Sequence, residues 1–182
     1  MQPADPVPAL LVRPGWPADA AALAAFGERC FRDAFAAENR PADLELYLAH
    51  AYGERQQAAE LADPLVTTLL VEVDGRLAGF AQLRPGVPPP CISGPAPLEL
   101  WRFYVDRPWH GRGLAQALIT AAMQAARARG AHTLWLGVWE RNSRAQGFYR
   151  KSGFRDVGAQ VFVLGTDQQN DRVMAMALGD AG

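Results

Sequence analysis

The stretch that decides the fold is residues 98–130, LELWRFYVDRPWHGRGLAQALITAAMQAARARG. Leu98 to Val105 is a run of apolar and aromatic residues, which predicts a strand. Gly113 to Arg129 has helical spacing, with Leu114, Ala117, Leu118, Ala121 and Ala125 on one side. Arg127 and Arg129 fall in its last turn, and Gly130 follows as a stop. Between strand and helix lies His110-Gly-Arg-Gly-Leu-Ala115. Glycine lets backbone approach a ligand closely, and a helix start carries unpaired N–H groups and partial positive charge. Such a turn suits a phosphate or pyrophosphate. It equally suits a bare strand-to-helix reversal, so its meaning depends on its surroundings.

Upstream, Leu10 to Arg13 reads as a short strand closed by Pro14-Gly15. Ala18 to Phe35 is predicted helical, with Leu23, Phe26, Cys30 and Phe31 on neighbouring turns. Pro41 opens a second helix with Leu44, Tyr47, Leu48 and Ala51 as its apolar stripe, and Asp43 and Glu45 suit its dipole. Arg55 to Asp63 makes a third, stopped by Pro64. Thr67 to Val73 and Arg76 to Leu83 form a hairpin around Asp74-Gly75, which supplies the positive φ angles of a type I′ turn. Six prolines and two glycines make 84–97 an irregular loop. Downstream, Thr133 to Trp139 is apolar on both faces and so central. Ser143 to Ser152 is a short helix, with Ser143 and Gln146 as a capping box. Val157 to Leu164 and Val173 to Leu178 are the last strands. The sum is a mixed α/β chain with an N-terminal helix pair and a largely antiparallel sheet, in which 1–9 is a flexible tail and 10–182 one domain.

Composition removes several function classes. The 182 residues are 49% hydrophobic and 20% charged, with a net charge of -1. That balance speaks against a nucleic-acid or anionic-membrane footprint. No apolar run approaches the ~20 residues of a membrane span, and the Pro-rich start lacks a signal peptide's pattern. Cys30 and Cys91 form no metal or disulfide pattern, so no metal is expected and a reducing, cytoplasmic setting is the default. Lys151 is the one lysine beside seventeen arginines, so a lone arginine carries little weight. The phosphate loop of NTPases, the dinucleotide fingerprint and the kinase signature set are all missing.

Taken together, Glu99-Leu-Trp-Arg-Phe-Tyr-Val105, His110-Gly-Arg-Gly-Leu-Ala115, Leu134-Trp-Leu-Gly-Val-Trp139, Asn142, Ala145, Phe148-Tyr149 and Gly153-Phe154 resemble the GNAT superfamily of N-acetyltransferases. His110 stands where that family usually carries Gln or Arg. The resemblance implies the GNAT acyltransferase fold, with flanking helices and a splayed central strand pair. It implies acetyl-CoA as cosubstrate, with the N–H groups of His110, Gly111, Arg112, Gly113, Leu114 and Ala115 cradling its pyrophosphate. Val105, beside Tyr104, would offer its backbone edge to pantetheine, and the Phe103 N–H would hold the oxyanion. Asn142 and Ala145 would hold the pantetheine arm. Arg112, Arg150 and Lys151 are candidates for the phosphates. An amine has a pKa near ~10.4, so a base must take its proton at neutral pH. Glu99 is the candidate, with Glu72 in reserve; Glu99 also reads as a strand-edge surface residue. Tyr149 is the candidate acid for the departing thiolate, or else a core aromatic beside Phe148. Neither cysteine lies near the motif, which speaks against an acetyl-cysteine route.

The acceptor is less legible. Cys30-Phe-Arg-Asp-Ala-Phe35, Glu38-Asn39, Asp43, Tyr47-Leu48, Glu60-Leu61, Asp63-Pro64 and the ending Leu164-Gly165, Asp171-Arg-Val-Met174 resemble bacterial polyamine N-acetyltransferases of the PaiA type. Glu28, Asp33, Glu38, Asp43 and Glu45 would then form an acidic face for a polycation, although the same residues also cap and solubilise helices. A protein N-terminus or lysine, a drug amine, or a silent CoA-sensing role remain open. Trp101, Phe103, Trp109 and Trp139 are expected on or beside the cleft or in the core. The 84–97 loop is a gate or an inert insertion, and a homodimer through the final strands is the family habit.

Overall fold

The computed structural model describes residues 9–179. The expected tail therefore lies outside the described residues except for Ala9, whose N–H donates to the Asp74 carboxylate at 3.0 Å. Strands β1 (Leu10–Pro14), β2 (Thr67–Val73), β3 (Arg76–Arg84), β4 (Pro97–Val105), β5 (Thr133–Trp139), β6 (Arg155–Leu164) and β7 (Asp167–Ala177) form one sheet in the order β1-β2-β3-β4-β5-β7-β6. All neighbours are antiparallel except β4 and β5. Helices α1 (Ala20–Phe35), α2 (Pro41–Ala51) and α3 (Glu54–Ala62) precede the β2–β3 hairpin; α4 (Leu114–Ala128) joins β4 to β5, and α5 (Ser143–Lys151) joins β5 to β6. Among the described residues no helix is long and apolar enough to cross a membrane.

Two cores sandwich the sheet. One face packs Val71, Ala81, Leu83 and Leu134 against Leu118, Ile119 and Ala122 of α4. The other packs Leu70 and Phe80 against Leu23, Phe26 and Phe31 of α1 and Leu44 and Leu48 of α2. Strand alternation assigns adjacent residues such as Leu70 and Val71 to opposite cores. The expected stripe on α4 is rotated: Leu114, Leu118, Ile119, Ala122 and Ala126 are buried, while Ala117, Ala121 and Ala125 are only partly so. The larger Ile119 side chain wins the sheet-facing position over alanines that bury less area.

At the β2–β3 turn Asp74 has φ 50° and Gly75 φ 74°, as a type I′ turn requires. The last hairpin extends further than expected, because β7 begins at Asp167. Its first residues, Asp167-Gln-Gln-Asn-Asp171, have low strand propensity. They pair with β6 because Asp43 pins the intervening turn, accepting the Thr166 N–H and hydroxyl at 2.7 Å each.

Beneath the sheet sits a buried polar network. Arg102 on β4 pairs with Glu60 on α3 and donates to Gln82 Oε1 at 2.7 Å and to the Ala51 carbonyl at 3.1 Å. Gln82 in turn donates to Glu60 and Thr68. Arg102 is 5% and Glu60 6% exposed, so their charges have little solvent to fall back on. Glu60→Gln strands Arg102 without a counter-ion and is expected to cost about 3–5 kcal/mol, read as a lowered urea midpoint. A loss under ~1 kcal/mol would show that the pair does not hold α3 to the sheet.

Candidate active site

The site begins where a ladder stops. β4 and β5 register only at Pro97–Thr133, Leu98–Leu134 and Glu99–Trp135. Gln82 opposes Arg102 while Leu83 opposes Leu100, so Trp101 is the extra residue of a bulge in β4. A bulge bends and twists its strand. β4 therefore turns away with β3, whereas β5 stays registered with β7 along its whole length. Two cavities, of about 450 Å³ and about 430 Å³, open on the resulting fork. They share Phe103, Tyr104, Trp139, Asn142, Ala145 and Tyr149 among their walls, so they meet there.

The second cavity reaches the glycine turn. Gly111 and Gly113 have φ of 76° and 84°, conformations that cost other residues roughly 1–2 kcal/mol. Gly113 is the N-cap of α4 and no side chain caps that end, so its first N–H groups stay available. The Asp106 N–H donates to the Ala78 carbonyl on β3. By antiparallel alternation, Phe103 and Val105 turn their N–H and C=O groups the other way, into the fork. His110 Nε2 lies 2.7 Å from the Val105 carbonyl. A carbonyl only accepts, so Nε2 carries the hydrogen, and the Arg144 guanidinium 3.1 Å away is a contact without a hydrogen bond. His110 thus closes the turn with its ring and takes one of the edge groups expected to stay open on Val105. Gly111 and Ala115 line this cavity with Arg107, Arg141 and Arg144. Arg112, Arg150 and Lys151 do not: Arg112 lies over Trp109, and Arg150 bonds Gln146.

Asn142 replaces Ser143 as the cap of α5, its Oδ1 accepting the Ala145 N–H at 3.1 Å. Gln146 does not complete a box; its amide donates to the carbonyls of Trp139 and Glu140. The cap uses the Asn142 oxygen, and Asn142 lines both cavities. Tyr149, one helix face later, is buried edge-on among Phe103, Phe148 and Phe154. Its hydroxyl has no protein partner among the described residues. Burial pushes the phenol well above its ordinary value, so it stays protonated at neutral pH.

Glu99 lines the first cavity at the base of the fork, 8% exposed. It is not a free surface carboxylate: Arg84 Nε donates to its Oε2 at 2.6 Å. Glu72 lies on β2, bonded to Arg13, and lines neither cavity. The acidic face is largely neutralised, since Arg32 binds both Glu28 and Glu45, and Asp43 is tied to Thr166 and Arg40. Asp33 and Glu38 remain, in the wall of the second cavity. Trp101, Phe103 and Trp139 line the first cavity; Trp109 packs instead against the α4 core. The proline loop, observed at 85–96, runs past Glu99 at Gly86, Thr133 at Gly94 and Gly158 at Cys91.

Three residues of this cavity were quoted in the sequence motifs without a site role. Trp135 is 2% exposed and its indole N–H has no partner among the described residues. Gly137 leaves bare backbone in the cavity wall. Asp171 reaches over it from β7, 8% exposed. The Gly137 signal was its place between Trp135 and Trp139 on one strand face; Asp171 stood in the closing motif, but nothing local gave it a role.

The fork thus has a glycine turn on one side and an aromatic cavity on the other. The profile of the acetyltransferase (GNAT) family matches residues 29–154. An uncharacterized N-acetyltransferase of Lactobacillus delbrueckii subsp. lactis is 33% identical over 85% of this chain and 89% of its own. One of Mycobacterium bovis is 34% identical over 88% and 98%. Among solved structures, the PaiA N-acetyltransferase of Thermoplasma acidophilum, in complex with coenzyme A, superposes with a TM-score of 0.77 at 19% identity, covering 93% of this chain and 99% of its own. A GCN5-related N-acetyltransferase of Rhodopseudomonas palustris gives 0.72 at 25%, covering 98% and 100%. The chain belongs to the GNAT family and is an acetyl-CoA-dependent N-acetyltransferase. The double variant Gly111→Ala/Gly113→Ala forces two side chains into left-handed backbone, and calorimetry is expected to show CoA binding weakened about tenfold or more.

Proposed function

We propose that the chain transfers the acetyl group to a primary amine by direct attack within a ternary complex. The observation that carries this reading is the meeting of two cavities at Tyr149. One has the uncapped helix start and three arginines that suit a pyrophosphate; the other is walled by aromatics and carboxylates that suit an amine. Pantetheine would lie along the open edge of β4, where the Phe103 and Val105 N–H groups face the fork, held from the other side by Asn142 and Ala145. The Phe103 N–H would stabilise the oxyanion formed when the amine attacks. A cavity carboxylate takes the amine's proton, and Tyr149 protonates the sulfur as the C–S bond breaks.

Polyamine acetylation is a second reading. The likeness to a PaiA structure and the unpaired Asp33 and Glu38 favour it. Three of the five acids expected to attract a polycation are spent on Arg32, Arg40 and Thr166. A panel of spermidine, spermine, monoamines, amine drugs and N-terminal peptides separates the acceptors. CoA binding with no transfer to any of them would indicate a sensor. A homodimer would have its seat along edge strand β6, where Val161 and Val163 are exposed.

Tyr149→Phe is expected to lower kcat at least ~10²-fold while KM for acetyl-CoA changes little. Because burial raises the phenol, the wild-type kcat should show no alkaline limb from this group below about pH 10. Unchanged kcat in the variant would remove Tyr149 as the acid.

A further inference from the structure

Four charged side chains line the aromatic cavity: Arg84, Glu99, Arg102 and Asp171. Three are engaged. Arg84 holds Glu99, and Arg102 is buried against Glu60. Asp171 alone has neither a hydrogen bond nor an ion pair from its side chain among the described residues. It is nevertheless sunk into the sheet, 8% exposed, directly opposite Trp139 on β5 and Gln160 on β6. Its Oδ2 lies 2.9 Å from where a Cβ on Gly137 would stand, and the Gln160 amide lies 2.5 Å from that point. Gly137 therefore makes the space that Asp171 occupies. In the wall of the same cavity, the Trp135 indole N–H is a buried donor without a partner among the described residues. Orphaned polar groups in a cavity wall mark a place where a ligand completes the bonding.

We propose that Asp171 is the residue that receives the acceptor's ammonium and takes its proton, and that the acceptor is a monoamine with an apolar or aromatic body. This rests on the direct-transfer reading above. Phe35, Tyr47, Trp101, Trp139 and Phe162 wall the same cavity, and its other carboxylate, Glu99, is already held by Arg84, so the cavity offers one free anion to a cationic centre. The chemistry balances. The ammonium gives one proton to Asp171, and the freed lone pair forms the C–N bond at the thioester carbon. The C–S bond breaks with its electron pair on sulfur, Tyr149 supplies the sulfur's proton, and the phenolate recovers one from the new amide nitrogen. Asp171 then releases its proton to solvent.

Burial, and secondarily the charge of Glu140 at the end of β5, push the Asp171 carboxyl up to about 6. Tyr47, which faces it from α2, stays neutral because burial raises its phenol. A carboxylate near 6 is a better match to an amine than one at ~3.9. It also carries a cost. A carboxyl whose folded pKa is raised loses stability as pH climbs from the unfolded value through about 6, so above that the ionised Asp171 weakens the fold.

The test uses 2-phenylethylamine as probe, Asp171→Asn and Glu99→Gln as variants, and 2-phenylethanol as the uncharged control. By calorimetry with CoA present at pH 7.5, Asp171→Asn should bind the amine at least tenfold more weakly than wild type and the alcohol equally well. Wild-type kcat/KM should fall as pH drops through about 6, a limb that vanishes in Asp171→Asn and persists in Glu99→Gln. The Tm of Asp171→Asn at pH 7.5 should equal or exceed wild type, which a structural aspartate would not allow. Equal amine binding by Asp171→Asn, no amine binding by wild type, or loss of the limb in Glu99→Gln alone would each overturn the proposal while leaving acetyl transfer standing. Amine binding without CoA release from any amine would instead overturn the direct-transfer reading.

Discussion

The site depends on one interrupted ladder. A parallel pair at the centre of a sheet normally runs its full length, because each unmade backbone bond is costly when buried. Here β4 and β5 separate after Glu99 and Trp135. The interruption is tolerable because each strand has a complete partner on its other side, β3 for β4 and β7 for β5. It is directed because the Trp101 bulge bends β4 with β3. The break leaves the Phe103 and Val105 N–H groups facing the fork, while His110 covers the Val105 carbonyl.

The same bulge decides which side chains reach the site. Strict alternation would place Arg102 beside Leu98 and Leu100, against α4. The extra residue shifts the phase, so Phe103 and Val105 join that core while Arg102 points at α3 and Tyr52. Arg102 then needs Glu60, Gln82 and the Ala51 carbonyl around it. That network ties α2 and α3 to the strand whose bend opens the fork. The polar cluster and the catalytic opening are two consequences of a single inserted residue.

Charge in the acceptor half follows a comparable logic. Most of its ionic groups are spent on one another: Glu99 on Arg84, Glu60 on Arg102, Glu28 and Glu45 on Arg32, and Asp43 on Arg40. Pairing turns residues that suit a polycation on paper into internal braces. Among the described residues of this cavity, Asp171 and the Trp135 indole are left without a partner.

From the sequence alone, the conformation around the glycine turn was readable. Gly111 and Gly113 stand where φ is positive and a helix follows at once, whereas the cap of α5 fell one residue earlier than expected, at Asn142. The Asp74-Gly75 hairpin and the stripe of α1 were legible for the same reason. The acceptor half was not. Asp171 meets Gly137 and Gln160 only because β5, β7 and β6 lie side by side, and Glu99 meets Arg84 only through the β3–β4 register. A strand's low-propensity polar residues, such as those opening β7, carry no local mark of pairing. Local sequence settled the conformation of the glycine turn, because positive φ and a helix start are set by adjacent residues; which carboxylates are paired and which are not was decided by long-range register, which assigns every charge its neighbours.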